Sequence, residues 1–248
     1  MVSCAVCAAA ARLSKRITLW PQTPFALRPV SRHHPAMLHL QFIPAAQTGS
    51  RRLMVMLHGL GDSLNGYLWL PEMLDLPWLN FALINAPEPY YGGYSWYEFD
   101  GHPAETIRRS AALLGEQLDA LRAQGFPTDQ TIFGGFSQGC LMAIEMGCRY
   151  PHRFAGVVGI SGYVWEPEVL VKELSPVARQ QRFLLTHGTL DPLLPIVRTR
   201  EQVAVLRAAG LDIQWREFAK DHTIAGHAEL DVIRDFIRAG YPEAAPAK

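Results

Sequence analysis

The residues best placed to do chemistry lie in Gly135-Phe136-Ser137-Gln138-Gly139, a GxSxG pentapeptide. A serine hydroxyl attacks a carbonyl carbon once a base takes its proton. The apolar run before it (TIFGGF) reads as a strand and the run after it (LMAIEMGCRY) as a helix. A sharp strand-to-helix turn is the setting this motif requires. The residues two places either side of the serine must be small, or the turn cannot close. The turn holds the hydroxyl out of the sheet at a helix N-terminus, where the dipole and free N–H groups favour a developing oxyanion.

A nucleophilic serine needs a base and an acid that orients the base, and in this setting they follow in the order Ser, Asp or Glu, His. Asp191 lies in the loop after a strand-like run at 183–186. It would accept a hydrogen bond from an imidazole, fix the tautomer and stabilise the imidazolium. Two histidines follow the last strand-like run, His222 and His227. His222, four residues beyond that run, falls at the sheet edge that carries the serine and is preferred. His227, after Gly226 and beside the last helix, suits a surface or capping role but stays open as the base. Asp221 is the alternative acid, although adjacent residues rarely face each other's far ring nitrogen. A metal site from Asp221, His222 and His227 matches no ligand spacing.

The oxyanion would take backbone N–H groups from Leu60, in the glycine-bearing LHGLGD stretch at 57–62, and from Gln138. His58 and His187 each precede a glycine at a strand end and read as structural. An acyl groove would draw on aromatics in loops, with Trp69, Tyr94, Trp96, Tyr163 and Trp165 as candidates.

These groups must be positioned by an alternation of short apolar runs and amphipathic stretches from Met37 onward, which argues for an α/β domain. Strands are expected at 38–42, 53–57, 81–86, 131–136, 154–160, 183–186 and 213–218. Helices are expected at 65–74, 103–124, 138–149, 196–209 and 228–239. Pro103 suits a first helical turn, and Gly125, Gly210 and Gly240 suit helix ends. The stretches 87–102 and 161–182 do not fit the alternation and read as functional loops.

The 248 residues suffice for one α/β domain, with 49% hydrophobic and 19% charged residues. A formal net charge of zero gives no electrostatic reason to expect nucleic acid. No apolar run is long enough for a spanning helix. No acidic residue precedes Asp62, and residues 1–36 carry Arg12, Lys15, Arg16, Arg28 and Arg32. That basic tail reads either as an organellar transit peptide or as translation upstream of a start at Met37; it fits a secretory signal less well. The expected domain is 37–243, with a short C-terminal tail at 244–248. Cys4 and Cys7 have CxxC spacing but lack a βαβ setting or a second pair. Cys140 and Cys148 fall too far apart on one helix to bridge. The cysteines favour a reducing compartment, the cytoplasm, or an organelle if the tail is a transit peptide.

Taken together, the motifs LHGLGDS at 57–63, NAP at 85–87, SW at 95–96, GGFSQG at 134–139 and HGTLDPLLP at 187–195 resemble the carboxylesterase and acyl-protein thioesterase family, also called the phospholipase/carboxylesterase family. They stand in the family's order, within a resemblance that runs from about Met37 to Tyr241. It implies an α/β-hydrolase fold: a mostly parallel sheet, helices on both faces, no large cap domain. It also implies no cofactor, and ester or thioester substrates with an acyl chain. A homodimer is compatible with the sequence. Cys140 departs from the family, which usually has a second glycine there, and this change would reshape the pocket. The segment DHTIAGH offers two histidines where many members show one; the helix after it (ELDVIRDFI) matches the family and places the family histidine nearer His222. A non-catalytic binding protein of the same fold, or a hydrolase of lactones or peptides, are the rival readings.

Overall fold

The computed structural model describes residues 37–241. The expectations for residues 1–36 and 242–248, including the Cys4–Cys7 pair, lie outside the described residues.

In chain order, β1 (Leu40–Ile43), β2 (Leu53–Leu57) and β3 (Asn80–Ile84) are followed by the hairpin β4 (Glu88–Tyr90) and β5 (Gly93–Ser95). Then come β6 (Thr131–Phe136), β7 (Gly156–Ile160), β8 (Arg182–Gly188) and β9 (Asp212–Phe218). The helices are α1 (Leu70–Leu74), α2 (Pro103–Ala123), α3 (Gln138–Arg149), α4 (Pro167–Lys172), α5 (Ile196–Ala208) and α6 (His227–Ala239). The main sheet has seven strands in the order β1-β3-β2-β6-β7-β8-β9. Only β1 runs antiparallel to its neighbour; every other pair in this sheet is parallel.

A parallel sheet needs cover on both faces, so the inner strands β2, β3, β6 and β7 are buried and almost wholly apolar, whereas the edge strand β9 carries exposed polar residues. In β2, Leu53, Val55 and Leu57 join one core with residues of α2, α3, α4 and α5. Met54 and Met56 point the other way and join a second core with Leu70 and Leu74 of α1 and with Leu230, Ile233, Phe236 and Ile237 of α6. Each fully buried Leu or Phe contributes about 1.5–3 kcal/mol relative to exposure.

The expected α/β-hydrolase architecture is therefore observed, with differences of detail. The helix expected at 65–74 is two pieces, a 3-10 turn at Leu64–Tyr67 and then α1. The stretch 87–102 contains the β4–β5 hairpin, and 161–182 contains α4.

Strand order places the site. The chain runs from β2 outward to β3, then returns to set β6 on the other side of β2. Ligands of open α/β sheets bind where such a reversal opens a crevice at the carboxyl ends of the strands. Leu57 pairs with Gly135 there, so the loop holding Leu60 and the turn holding Ser137 leave the sheet side by side.

Candidate active site

Ser137 caps α3 with φ 54° and ψ −115°, a conformation rare for a residue with a side chain. Strain of this kind persists only when the surroundings fix it. A Cβ on Gly135 would lie 2.1 Å from the Gly139 carbonyl oxygen, and one on Gly139 would lie 2.4 Å from the Leu57 carbonyl oxygen. The turn thus closes because both flanking residues lack a side chain. Backbone atoms cannot move aside, so Gly139→Ala is expected to cost about 3 kcal/mol of stability. Urea unfolding checks this, and an unchanged midpoint would contradict it.

The structure brings three predicted residues together. His222 Nε2 lies 2.9 Å from Ser137 Oγ, and His222 Nδ1 lies 2.7 Å from Asp191 Oδ2. An ionised Asp191 can only accept, so Nδ1 carries the proton and Nε2 presents a lone pair to the serine hydroxyl. The other carboxylate oxygen of Asp191 accepts the N–H groups of Leu193 and Leu194, both at 2.9 Å. Burial would raise the Asp191 carboxyl. The Leu194 N–H, the His222 ring and the Leu193 N–H outweigh it and hold the group below its ordinary value. His222 also packs on the Phe136 ring at a centroid distance of 5.0 Å. His227 is exposed at the first position of α6. Asp221, His222 and His227 do not gather into a metal-binding group.

The backbone N–H groups of Leu60 and Gln138 have no protein acceptor among the described residues. A hydrogen-bond network sets them. Buried His58 donates Nδ1–H to the Gly59 carbonyl at 2.6 Å and accepts the Ala86 N–H on Nε2 at 3.0 Å. The Trp96 indole N–H donates to the His58 carbonyl at 2.9 Å. The Gln138 side chain accepts the Trp96 N–H and donates to the Tyr97 carbonyl, both at 2.9 Å. The hairpin joins in: Gly61 N–H donates to the Tyr94 carbonyl and Tyr94 N–H to the Asp62 carbonyl, each at 2.9 Å. Gly93 is required there, because a Cβ would lie 2.2 Å from the Gly61 carbonyl oxygen.

The aromatic candidates divide. Trp96 is fully buried with its ring beside His58, so it belongs to this network and not to an open groove. Trp165 faces Glu145 and Arg149, in the half of α3 remote from Ser137. At 1.5 Å per residue, Glu145 lies about 12 Å along the helix from the serine. Trp69 is half-buried on Tyr67, and Tyr94 is half-buried in the hairpin. The Tyr163 hydroxyl is 3.0 Å from that of Tyr97. The side-chain role of Gln138 escaped the sequence reading, which considered only its backbone. The expectation for Cys140 is refined: its thiol fills space left by Gly159 and Gly162, whose added Cβ atoms would lie 2.6 and 2.5 Å from the sulfur. Burial pushes that thiol up to about 12, so it is inert at neutral pH.

His58 and His187 are structural, as their positions suggested. Burial lowers both; the Gly59 carbonyl offsets this in part for His58, and the Leu194 carbonyl, which accepts from His187 Nε2 at 2.8 Å, does so for His187. Each therefore binds a proton less readily folded than unfolded. Their contribution to stability is complete above about pH 6.5 and is lost as pH falls from there toward the folded values. The urea midpoint should accordingly drop below about pH 6.5, and His58→Gln should weaken that pH dependence.

Residues 39–240 fit the model of the phospholipase/carboxylesterase family. The chain belongs to this family. It is an enzyme of the serine-hydrolase class. Acyl-protein thioesterase 1 of Schizosaccharomyces pombe is 36% identical over 161 residues, which are 58% of this chain and 70% of that protein. Acyl-protein thioesterase 1 of Saccharomyces cerevisiae is 24% identical, over 78% of this chain and 88% of that one. Among solved structures, esterase PE8 superposes with a TM-score of 0.74 at 28% identity, covering 82% of this chain and 99% of that one. Zea mays acyl-protein thioesterase 2 shares the fold, with a TM-score of 0.69 at 24% identity and coverage of 82% and 98%.

Proposed function

We propose that this enzyme hydrolyses carboxylic esters or thioesters by way of an acyl-enzyme on Ser137. One observation carries the reading: a single imidazole lies within hydrogen-bond reach of both the Ser137 hydroxyl and the Asp191 carboxylate. His222 Nε2 takes the hydroxyl proton as Oγ bonds to the substrate carbonyl carbon. The N–H groups of Leu60 and Gln138 stabilise the oxyanion of the tetrahedral intermediate. Its collapse breaks the carbon–oxygen or carbon–sulfur bond, and His222 gives its proton to the leaving alcohol or thiol. Water, deprotonated by the same ring, then attacks the acyl carbon, and the acid leaves as Ser137 regains its proton.

Trp69, Tyr94 and Tyr163 are the aromatics we assign to the acyl site. Leu190 and Leu193 flank Asp191 and are 67% and 69% exposed, which supplies an apolar rim for an acyl chain. The thioesterase names of the relatives favour thioesters of acylated partners as substrates. The two buried free thiols, Cys140 and Cys148, suit a reducing compartment such as the cytoplasm. The test is a rate profile on matched esters and thioesters of increasing acyl length. Hydrolysis that requires Ser137 and varies with chain length supports the reading. Absence of turnover on either series contradicts it.

A further inference from the structure

His222 sits in the segment 219–226 between β9 and α6, with exposed neighbours Asp221 and Thr223. No regular element holds it, yet its ring must meet two partners at once. Behind it lies a buried ion pair that takes no part in the reaction above. Lys220 Nζ lies 2.6 and 2.7 Å from the two carboxylate oxygens of Glu229, and the side chains are 3% and 0% exposed. Glu229 also accepts the Ala225 N–H at 2.7 Å. One carboxylate on α6 therefore holds the segment on both sides of His222. The Lys220 backbone extends the connection: its carbonyl accepts the Leu190 N–H at 3.1 Å, next to Asp191.

Stability does not explain such a pair. Desolvating two charges is costly, and apolar side chains of similar volume are often as stabilising or more so. Apolar residues, however, could neither accept the Ala225 N–H nor fix Lys220 by two directional bonds. We propose that the buried Lys220–Glu229 pair positions the catalytic histidine, clamping its loop so that one imidazole spans Asp191 and Ser137. The proposal rests on His222 being the triad base. Neither residue touches the reacting atoms, so both are positioning residues, and their loss should slow the chemical step and leave binding intact.

The experiment compares the full chain with Glu229→Gln, with Lys220→Met/Glu229→Met and with His222→Ala. It measures kcat and KM separately on nitrophenyl acetate, and the thermal midpoint. Glu229→Gln leaves an ammonium buried without its counter-charge and should lower the midpoint as well as kcat. The double variant removes both charges, so it should keep a midpoint near or above that of the parent. Its kcat should still fall by about 10–100-fold, the scale of an ångström-sized misplacement, with KM within about twofold. A folded double variant with the parent's kcat would overturn the positioning role, even if Glu229→Gln does not fold. His222→Ala separates the two readings. Loss of activity there, beside full activity in the double variant, sinks the clamp alone; retained activity there sinks the triad on which the clamp depends.

Discussion

Replacing Ser137 by alanine is expected to lower kcat on an activated ester by about 10⁶-fold, the loss seen when a triad serine is removed. The change deletes one oxygen at a helix cap and leaves the backbone turn to its surroundings, which impose it: the Ser137 N–H donates to the Ile160 carbonyl at 2.9 Å, and Gly135 and Gly139 allow close backbone approach. The unfolding midpoint should therefore hardly change. A residual rate of about 10³–10⁴ over water should survive, because bound substrate would still meet the two N–H donors. In the proposed mechanism the serine and the imidazole act as one unit, so adding His222→Ala to Ser137→Ala should cost almost nothing further. Independent, multiplying losses would mean that the two side chains do not share a proton.

The second large effect separates the two histidines. His222→Ala should cost about as much in kcat as the loss of the serine, because among the described residues only the His222 side chain hydrogen-bonds the hydroxyl. His227→Ala should leave kcat within about twofold. His227 is exposed at the start of α6 and makes no side-chain hydrogen bond among the described residues. Its removal should also change stability by no more than about 0.5 kcal/mol. Steady-state rates of the two variants decide the matter. The reverse pattern would move the catalytic role to His227 and would require the 219–226 segment to adopt another conformation.

The sequence makes this choice hard for a physical reason. Two histidines five places apart both follow the last strand, and residue type does not tell a loop from the first turn of a helix. Three-dimensional placement does: Glu229 fixes where α6 begins and holds the loop before it. Ser137 and Asp191 were legible because each has a local signature, a glycine-flanked turn in one case and a strand followed by an aspartate-proline loop in the other. The central strands were legible as continuous apolar runs, which a sheet covered on both faces demands. The β4–β5 hairpin was not, since Glu88, Pro89 and Tyr90 are all exposed and show no alternation. Trp96 illustrates the same limit. An aromatic in a glycine-rich loop suggests a binding surface, and only the Gln138 and His58 bonds reveal it as a buried support. Cys140 needed its complement, because Gly159 and Gly162 lie far from it in sequence but face its sulfur in the fold.

The proposed mechanism stands or falls with Ser137 as the activated nucleophile. Treatment with a fluorophosphonate followed by peptide mass spectrometry tests it most directly. If His222 and the two N–H donors activate this one hydroxyl, one adduct per chain is expected, on the peptide containing Ser137, and none in Ser137→Ala. An adduct on another residue, or a native chain that stays unlabelled, would contradict it.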